Sequence, residues 1–307
     1  MKKIWGFLHR HVYADFQWRY YSVVALFLLG CLFFNYYFDY EDSVLDSYEG
    51  LLRTLFYFLT YAFGYYVVLF LYSLFSRQQG FWFKKEFWVK STFALALLSV
   101  DSSRPFLRPV ISVLMEPELQ YWSYKVATNL ISQVVVTAPL LIFYRFNDRQ
   151  QGHGYGLAVR QFDVRPYFYM LLMMVPLLVA ASFNPGFIQQ YPMYKTSGAH
   201  AFLGVPEWIT VFLYEIAYGL DFVSVELLFR GFMVIGLMHV LGRSAVIAMA
   251  TVYCFLHFGK PAGEAVSSIF GGYILGVVSY ETKSIWGGVI IHIGIAWLME
   301  LTAFLQH

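Results

Sequence analysis

The sequence predicts an all-α, polytopic transmembrane helix bundle with about eight or nine membrane helices. Three observations predict it. Of the 307 residues, 59% are hydrophobic and only 13% are charged, against roughly 45–50% and about 25% in soluble domains. The apolar residues fall into runs near the roughly 20-residue length that crosses a bilayer as a helix. Those runs are continuous rather than alternating, which favours helices over barrel strands.

The runs follow in order. Residues 20–38 and 55–75 are the first two. The first has no small-residue cleavage pattern and reads as a true span rather than a removable signal. Residues 87–115 contain Asp101-Ser-Ser-Arg-Pro and read as a broken span. Residues 126–144 and 167–183 are uninterrupted. From Pro206 to Leu241 the apolar character is broken by Glu215, Asp221, Glu226 and Arg230. Pro206 suits a helix first turn, where a missing N–H costs nothing. Residues 244–258, 264–280 and 284–304 complete the set. The polar, glycine-bearing stretch 147–156 is the best candidate linker. It suggests N-terminal transmembrane helices over 1–150, a linker and helix over 151–205, and a chemistry-bearing membrane domain over 206–307.

Basic residues in short loops set orientation. Lys2, Lys3, Arg10 and Arg19 place the N-terminus in the cytoplasm of a multi-pass cell-membrane protein. The loop 39–50 carries five acidic residues and no basic one, so it is external. Arg77, Lys84, Lys85 and Lys90 return the chain inside, Glu116 and Glu118 mark the outside, and Arg145, Arg149, Arg160 and Arg165 the inside again. No basic block suggests nucleic acid, and no lipidation motif is evident. Cys31 and Cys254 sit in apolar runs and suggest neither a disulfide nor a cysteine-based metal site.

The chemistry-bearing residues lie near the C-terminus. A charge at membrane depth costs about 2.5–3.5 kcal/mol on the lenient insertion scale, so such residues face a bundle interior or a wet cavity. Glu226 and Arg230 are four apart and share a helix face. They form either a structural ion pair or a carboxylate poised by a guanidinium. His257 precedes Gly259-Lys260-Pro261, which should end its helix. His292 lies mid-span and needs a partner in the bundle, for which Glu226 or His257 would suit. Two histidines and a carboxylate make a legitimate zinc set with an open fourth position, so Glu226, His257 and His292 are candidate Zn2+ ligands. Ser268, Gly272 and Gly276 form a small-residue ridge that permits close helix approach and could hold the His257 and His292 helices together. Glu264 and Glu300 are weaker candidates, Glu300 falling roughly 12 Å along the helix from His292, and His239 should pack locally near a helix end.

These segments together resemble the CAAX-protease and bacteriocin-processing (Abi) family of intramembrane proteases. Its members carry a Glu-Glu-x-x-x-Arg helix, a Phe-x-x-x-His helix and a His-x-x-x-Asn helix in that order. Here Val225-Glu226-Leu-Leu-Phe-Arg230 matches the first apart from its leading residue. Tyr253-x-x-x-His257 matches the second with Tyr for Phe, and His292-x-x-x-Ala296 matches the third only at its histidine. The resemblance covers residues 206–304. It implies a peptidase, expected to be a metalloprotease, acting on a membrane-associated peptide or protein. In it His257 would serve the attacking water, His292 would stabilise developing charge, and Glu226 and Arg230 would take the second Glu and the Arg. Val225 and Ala296 are the departures. Neighbouring helix residues point about 100° apart, so Glu226 could replace position 225 only with a rotation or local bulge.

Two other readings remain open. A non-catalytic descendant would use the same pocket to bind a peptide or partner, as an immunity or scaffold protein. A transporter or proton relay would be expected to show paired broken helices in both halves, and only one broken segment is evident.

Overall fold

The computed structural model describes residues 2–158 and 163–306, so Arg160 lies outside the described residues. Every regular element among them is helical. In order they are α1 (Lys2–Asp15), α2 (Trp18–Phe38), α3 (Gly50–Ser76), α4 (Lys85–Ser103), α5 (Leu107–Leu114), α6 (Pro117–Ser132) and α7 (Ala138–Phe143). After the 147–156 stretch come α8 (Arg165–Ala181), α9 (Pro185–Gln190), α10 (Ala199–Leu203) and α11 (Glu207–Glu226). A π-helical segment, Leu227–Ile235, leads to α12 (Met238–Leu241), α13 (Ser244–Phe255), α14 (Ala262–Thr282) and α15 (Trp286–Phe304).

The chain is a multi-pass membrane protein. Among the described residues, five helical stretches are long and apolar enough to cross a bilayer: Trp18–Phe38, Gly50–Ser76, Pro117–Gln151, Ala262–Thr282 and Trp286–Phe304. The eight or nine expected spans are all helical, but the others are short, broken or charged. Helices α8 and α13 are apolar yet short. The 87–115 segment breaks where Arg104 takes a left-handed conformation (φ 44°) just before Pro105, giving α4 and α5. Pro206 stands one position ahead of α11 rather than inside its first turn. Exposed residues such as Leu26, Leu29 and Phe33 on α2 form the lipid-facing side.

Helix α13 is the centre of the bundle, with all twelve of its residues buried. Such all-round apolarity belongs to a helix surrounded by protein. On one side Gly64 of α3 makes room for Phe255, whose ring would lie 2.8 Å from an added Cβ. On the other, Gly272 and Gly276 of α14 lie against Tyr253 and Met249 of α13. The small-residue ridge therefore holds the His257 helix, but against α14 rather than against the His292 helix α15.

The stretch 147–156 is not a loose linker. Tyr155 is fully buried, and its hydroxyl donates to Asp148 Oδ2 at 2.5 Å. Asp148 also accepts from buried Lys90 of α4, and Lys90 reaches the carbonyl of Gly236. This corner joins the N-terminal helices to the end of the π segment.

Candidate active site

Helix α11 delivers Glu226 at its last residue, and the backbone then changes register. Over Leu227–Ile235 the helix widens to the i→i+5 pattern, as in the bond from the Gly236 N–H to the Gly231 carbonyl at 2.9 Å. Within this segment Gly231 admits the Tyr155 carbonyl oxygen, which would lie 2.6 Å from an added Cβ. Wide turns of this kind often accompany functional sites. The bulge that Glu226 would need in order to depart from a plain helical register thus begins at the next residue.

Glu226 and Arg230 are both fully buried. Glu226 Oε1 lies 3.0 Å from Arg230 Nη1 and 3.1 Å from His292 Nδ1. Gly288 of α15 is what lets the carboxylate in, since a Cβ there would lie 1.9 Å from Glu226 Oε2. The other face of His292 is occupied too. Its Nε2 is 2.9 Å from the Tyr253 hydroxyl, and Phe222 packs on the ring at a centroid distance of 4.3 Å. Tyr253 in turn sits under the Arg230 guanidinium, 4.4 Å from ring centre to Cζ. Its backbone carbonyl accepts from His257 Nδ1 at 2.8 Å. Glu226, Arg230, His292, Tyr253 and His257 thus form one connected cluster drawn from α11, the π segment, the end of α13 and α15.

The His257 end of α13 lies on the side of the 39–50 loop. Asn35 Nδ2 donates to the Phe258 carbonyl, Tyr36 to the Lys260 carbonyl, and the Glu41 carboxylate abuts Gly259.

Residues 207–298 match the family model described as Type II CAAX prenyl endopeptidase Rce1-like. This segment of the chain is similar to that family. It contains every member of the cluster. No curated protein and no solved structure matches the chain.

The remaining expectations divide around the Rce1-like cluster. Ala296 is buried and offers His292 no polar group. Val225 lines a cavity of about 20 Å³ together with Asp101, Ser224 and Leu256. Glu264 and Glu300 serve a different structure, the segment around α9. Tyr191 donates to Glu264, and the Met193 N–H donates to Glu300 at 2.9 Å. The Met193 carbonyl accepts from Lys125 Nζ at 2.8 Å, so both backbone polar groups of this one residue are held by side chains. His239 pairs with Glu86 at 2.7 Å, away from the cluster.

The zinc set expected from Glu226, His257 and His292 is not assembled in this geometry. Among the described residues, the only three such groups whose ligand atoms all lie within 4.8 Å are Glu41, Asp42 and Asp46. The physical reason is that both His292 nitrogens are engaged and the Tyr253 ring stands beside His257, at a centroid distance of 4.6 Å.

Two residues of the Rce1-like segment escaped the sequence reading. Tyr253 registered only as Tyr in place of Phe, and its extra oxygen was the available signal. Gly288 has no side chain to mark it, and nothing in the sequence hints that it accommodates a carboxylate.

Proposed function

We propose that the Rce1-like segment is an intramembrane endopeptidase that hydrolyses a peptide bond of a membrane-associated polypeptide. The observation that carries this reading is the state of His257. A carbonyl only accepts hydrogen bonds, so the contact with the Tyr253 carbonyl puts the His257 proton on Nδ1. Neutral His257 then presents Nε2 as an acceptor, the form a general base requires. In the proposed reaction His257 Nε2 takes a proton from water as the oxygen attacks the peptide carbon, and returns it to the departing amine. Glu226 acts one step back from the reaction. It orients His292 through Nδ1 and balances Arg230. No step is routed through a metal, because the residues present do not form a ligand set. With the proposed cytoplasmic N-terminus, substrate reaches His257 from the outer side, where the 39–50 loop lies.

The reading is tested with the purified full chain in lipid and a mixed membrane-peptide library. Cleavage is expected, and it should fall by at least about a hundredfold in both His257→Ala and Glu226→Ala. A specific observation favours the alternative of a non-catalytic binding protein. Both positions that depart from the family motifs, Val225 and Ala296, are apolar, and Glu226 has no exposure to substrate. Absence of cleavage by the wild-type chain, or cleavage indifferent to both substitutions, would decide for that alternative.

A further inference from the structure

We infer that Tyr253 is the positioning residue of the cluster, its carbonyl holding the His257 proton on Nδ1 and its hydroxyl meeting Nε2 of His292. Three separate parts of this one buried side chain and its peptide make the contacts.

The first part is the carbonyl. In a continuous α-helix the Tyr253 carbonyl would accept the His257 backbone N–H. Instead the end of α13 tightens: the His257 N–H bonds the Cys254 carbonyl at 2.9 Å and the Phe258 N–H bonds Phe255 at 3.2 Å. Helix ends leave carbonyls without intrahelical partners. The Tyr253 carbonyl is one of these, and the His257 imidazole takes it at 2.8 Å. His257 is held with its Nδ1–H on the Tyr253 carbonyl, which leaves Nε2 as the acceptor.

The second part is the hydroxyl. His292 Nδ1 faces the Glu226 carboxylate, an acceptor, and so carries its proton there. Nε2 of the neutral ring is then an acceptor, and the Tyr253 hydroxyl is the donor that meets it at 2.9 Å. Phenylalanine at 253 would keep the ring and the carbonyl and lose only this donor. His292 Nε2 would then have no hydrogen-bond partner among the described residues, and Ala296, one turn on, has no polar atom to offer.

The third part is the ring. Arg230 lies over its face at 4.4 Å and Phe229 meets it edge-on at 5.2 Å. This contact fixes the direction of the phenol between the ion pair and His292. Tyr253 therefore connects the end of α13, the π segment and α15, and it does so without touching substrate.

The catalytic consequence rests on the endopeptidase reading, but the proton pattern does not, so the test has two arms. In the first, imidazole nitrogen shifts are measured by NMR on the full chain in lipid with ¹⁵N-labelled histidine, assigned through His257 and His292 variants. Tyr253→Phe should move the His292 Nε2 signal away from its hydrogen-bonded value and leave the His257 pattern in place. Ring-fluorinated tyrosine incorporated into the wild-type sequence, which makes the hydroxyl a stronger donor, should shift the same signal without removing any atom of the side chain. A His292 signal unchanged by both overturns the inference. In the second arm, Tyr253→Phe should lower kcat by about 10- to 100-fold with KM unchanged, the scale of a small misplacement of a reacting group. An equal loss in KM alone would also overturn it. If the wild-type chain cleaves nothing, the endopeptidase reading falls and the NMR arm decides the inference by itself.

Discussion

Two buried cations in this molecule are treated in opposite ways. Lys90, near the N-terminal end of α4, has three donors and three partners: Glu86 Oε1 at 2.7 Å, Asp148 Oδ2 at 2.8 Å and the Gly236 carbonyl at 3.0 Å. Arg230, in the π segment, has a charge partner in Glu226 at 3.0 Å and an aromatic face in Tyr253. Yet its guanidinium nitrogens make no aligned hydrogen bond among the described residues, and neither does Glu226 Oε2. Leaving such a group unmet costs about 1–3 kcal/mol. A saturated cation is what an anchor between elements needs. The unsaturated cluster is the more expensive arrangement, and expense of that kind is characteristic of sites kept for chemistry rather than stability.

The comparison can be broken in three ways. The largest effect is expected at the anchor. Lys90→Met strands the buried Asp148 carboxylate and should lower stability by about 3–5 kcal/mol. Thermal unfolding in lipid measures this, and cleavage per folded molecule should be unchanged. A selective loss of cleavage would make Lys90 part of the site.

Gly288→Ala comes next. Its Cβ would collide with Glu226 Oε2, and overpacking of this kind costs about 1–3 kcal/mol. The His292 imidazole should also lose its contact with Glu226, seen as a changed His292 nitrogen shift. Gly263→Ala, on the same kind of helix but with nothing within 4 Å of an added Cβ, is the control and should be silent.

The smallest effect is at Glu41, in the 39–50 loop. Burial, then the nearby Asp46 charge, raises its carboxyl to about 7. An acid raised above its unfolded value of about 4.3 holds its proton longer in the folded chain. Its contribution to stability therefore declines as pH rises from about 4.3 to about 7. Glu41→Gln should remove that decline, leaving the variant slightly more stable than wild type at pH 8, by under about 1 kcal/mol given solvent screening of a partly exposed group. Melting curves at pH 5 and pH 8 check the sign; a wild-type chain that gains stability over this interval contradicts it.

Much of the site was legible from residue order. Glu226 and Arg230, four apart, do form an ion pair, and the partner that mid-span His292 required is Glu226. What was not legible depends on contacts distant in sequence. Tyr253 meets His292 across 39 positions, and its carbonyl becomes available only because α13 ends in a tightened turn. The π segment has no compositional signature; Gly231 gives way to a carbonyl from the 147–156 stretch, whose polar composition reads as a linker. The Val225 position is similar. The sequence marks it as a lost carboxylate, whereas the fold sets it beside another, Asp101, across a cavity of about 20 Å³.

The complete burial of α13 has a mechanical consequence. This helix has no lipid-facing side, so the bilayer can push on His257 only through the helices around it. A thicker or thinner membrane is met first by exposed apolar faces such as that of α2, with its Leu26 and Phe33 side chains. The two histidines therefore differ in how the membrane reaches them: His257 follows a helix sheathed in protein, whereas His292 rides on α15, whose Trp297 and Leu301 are exposed.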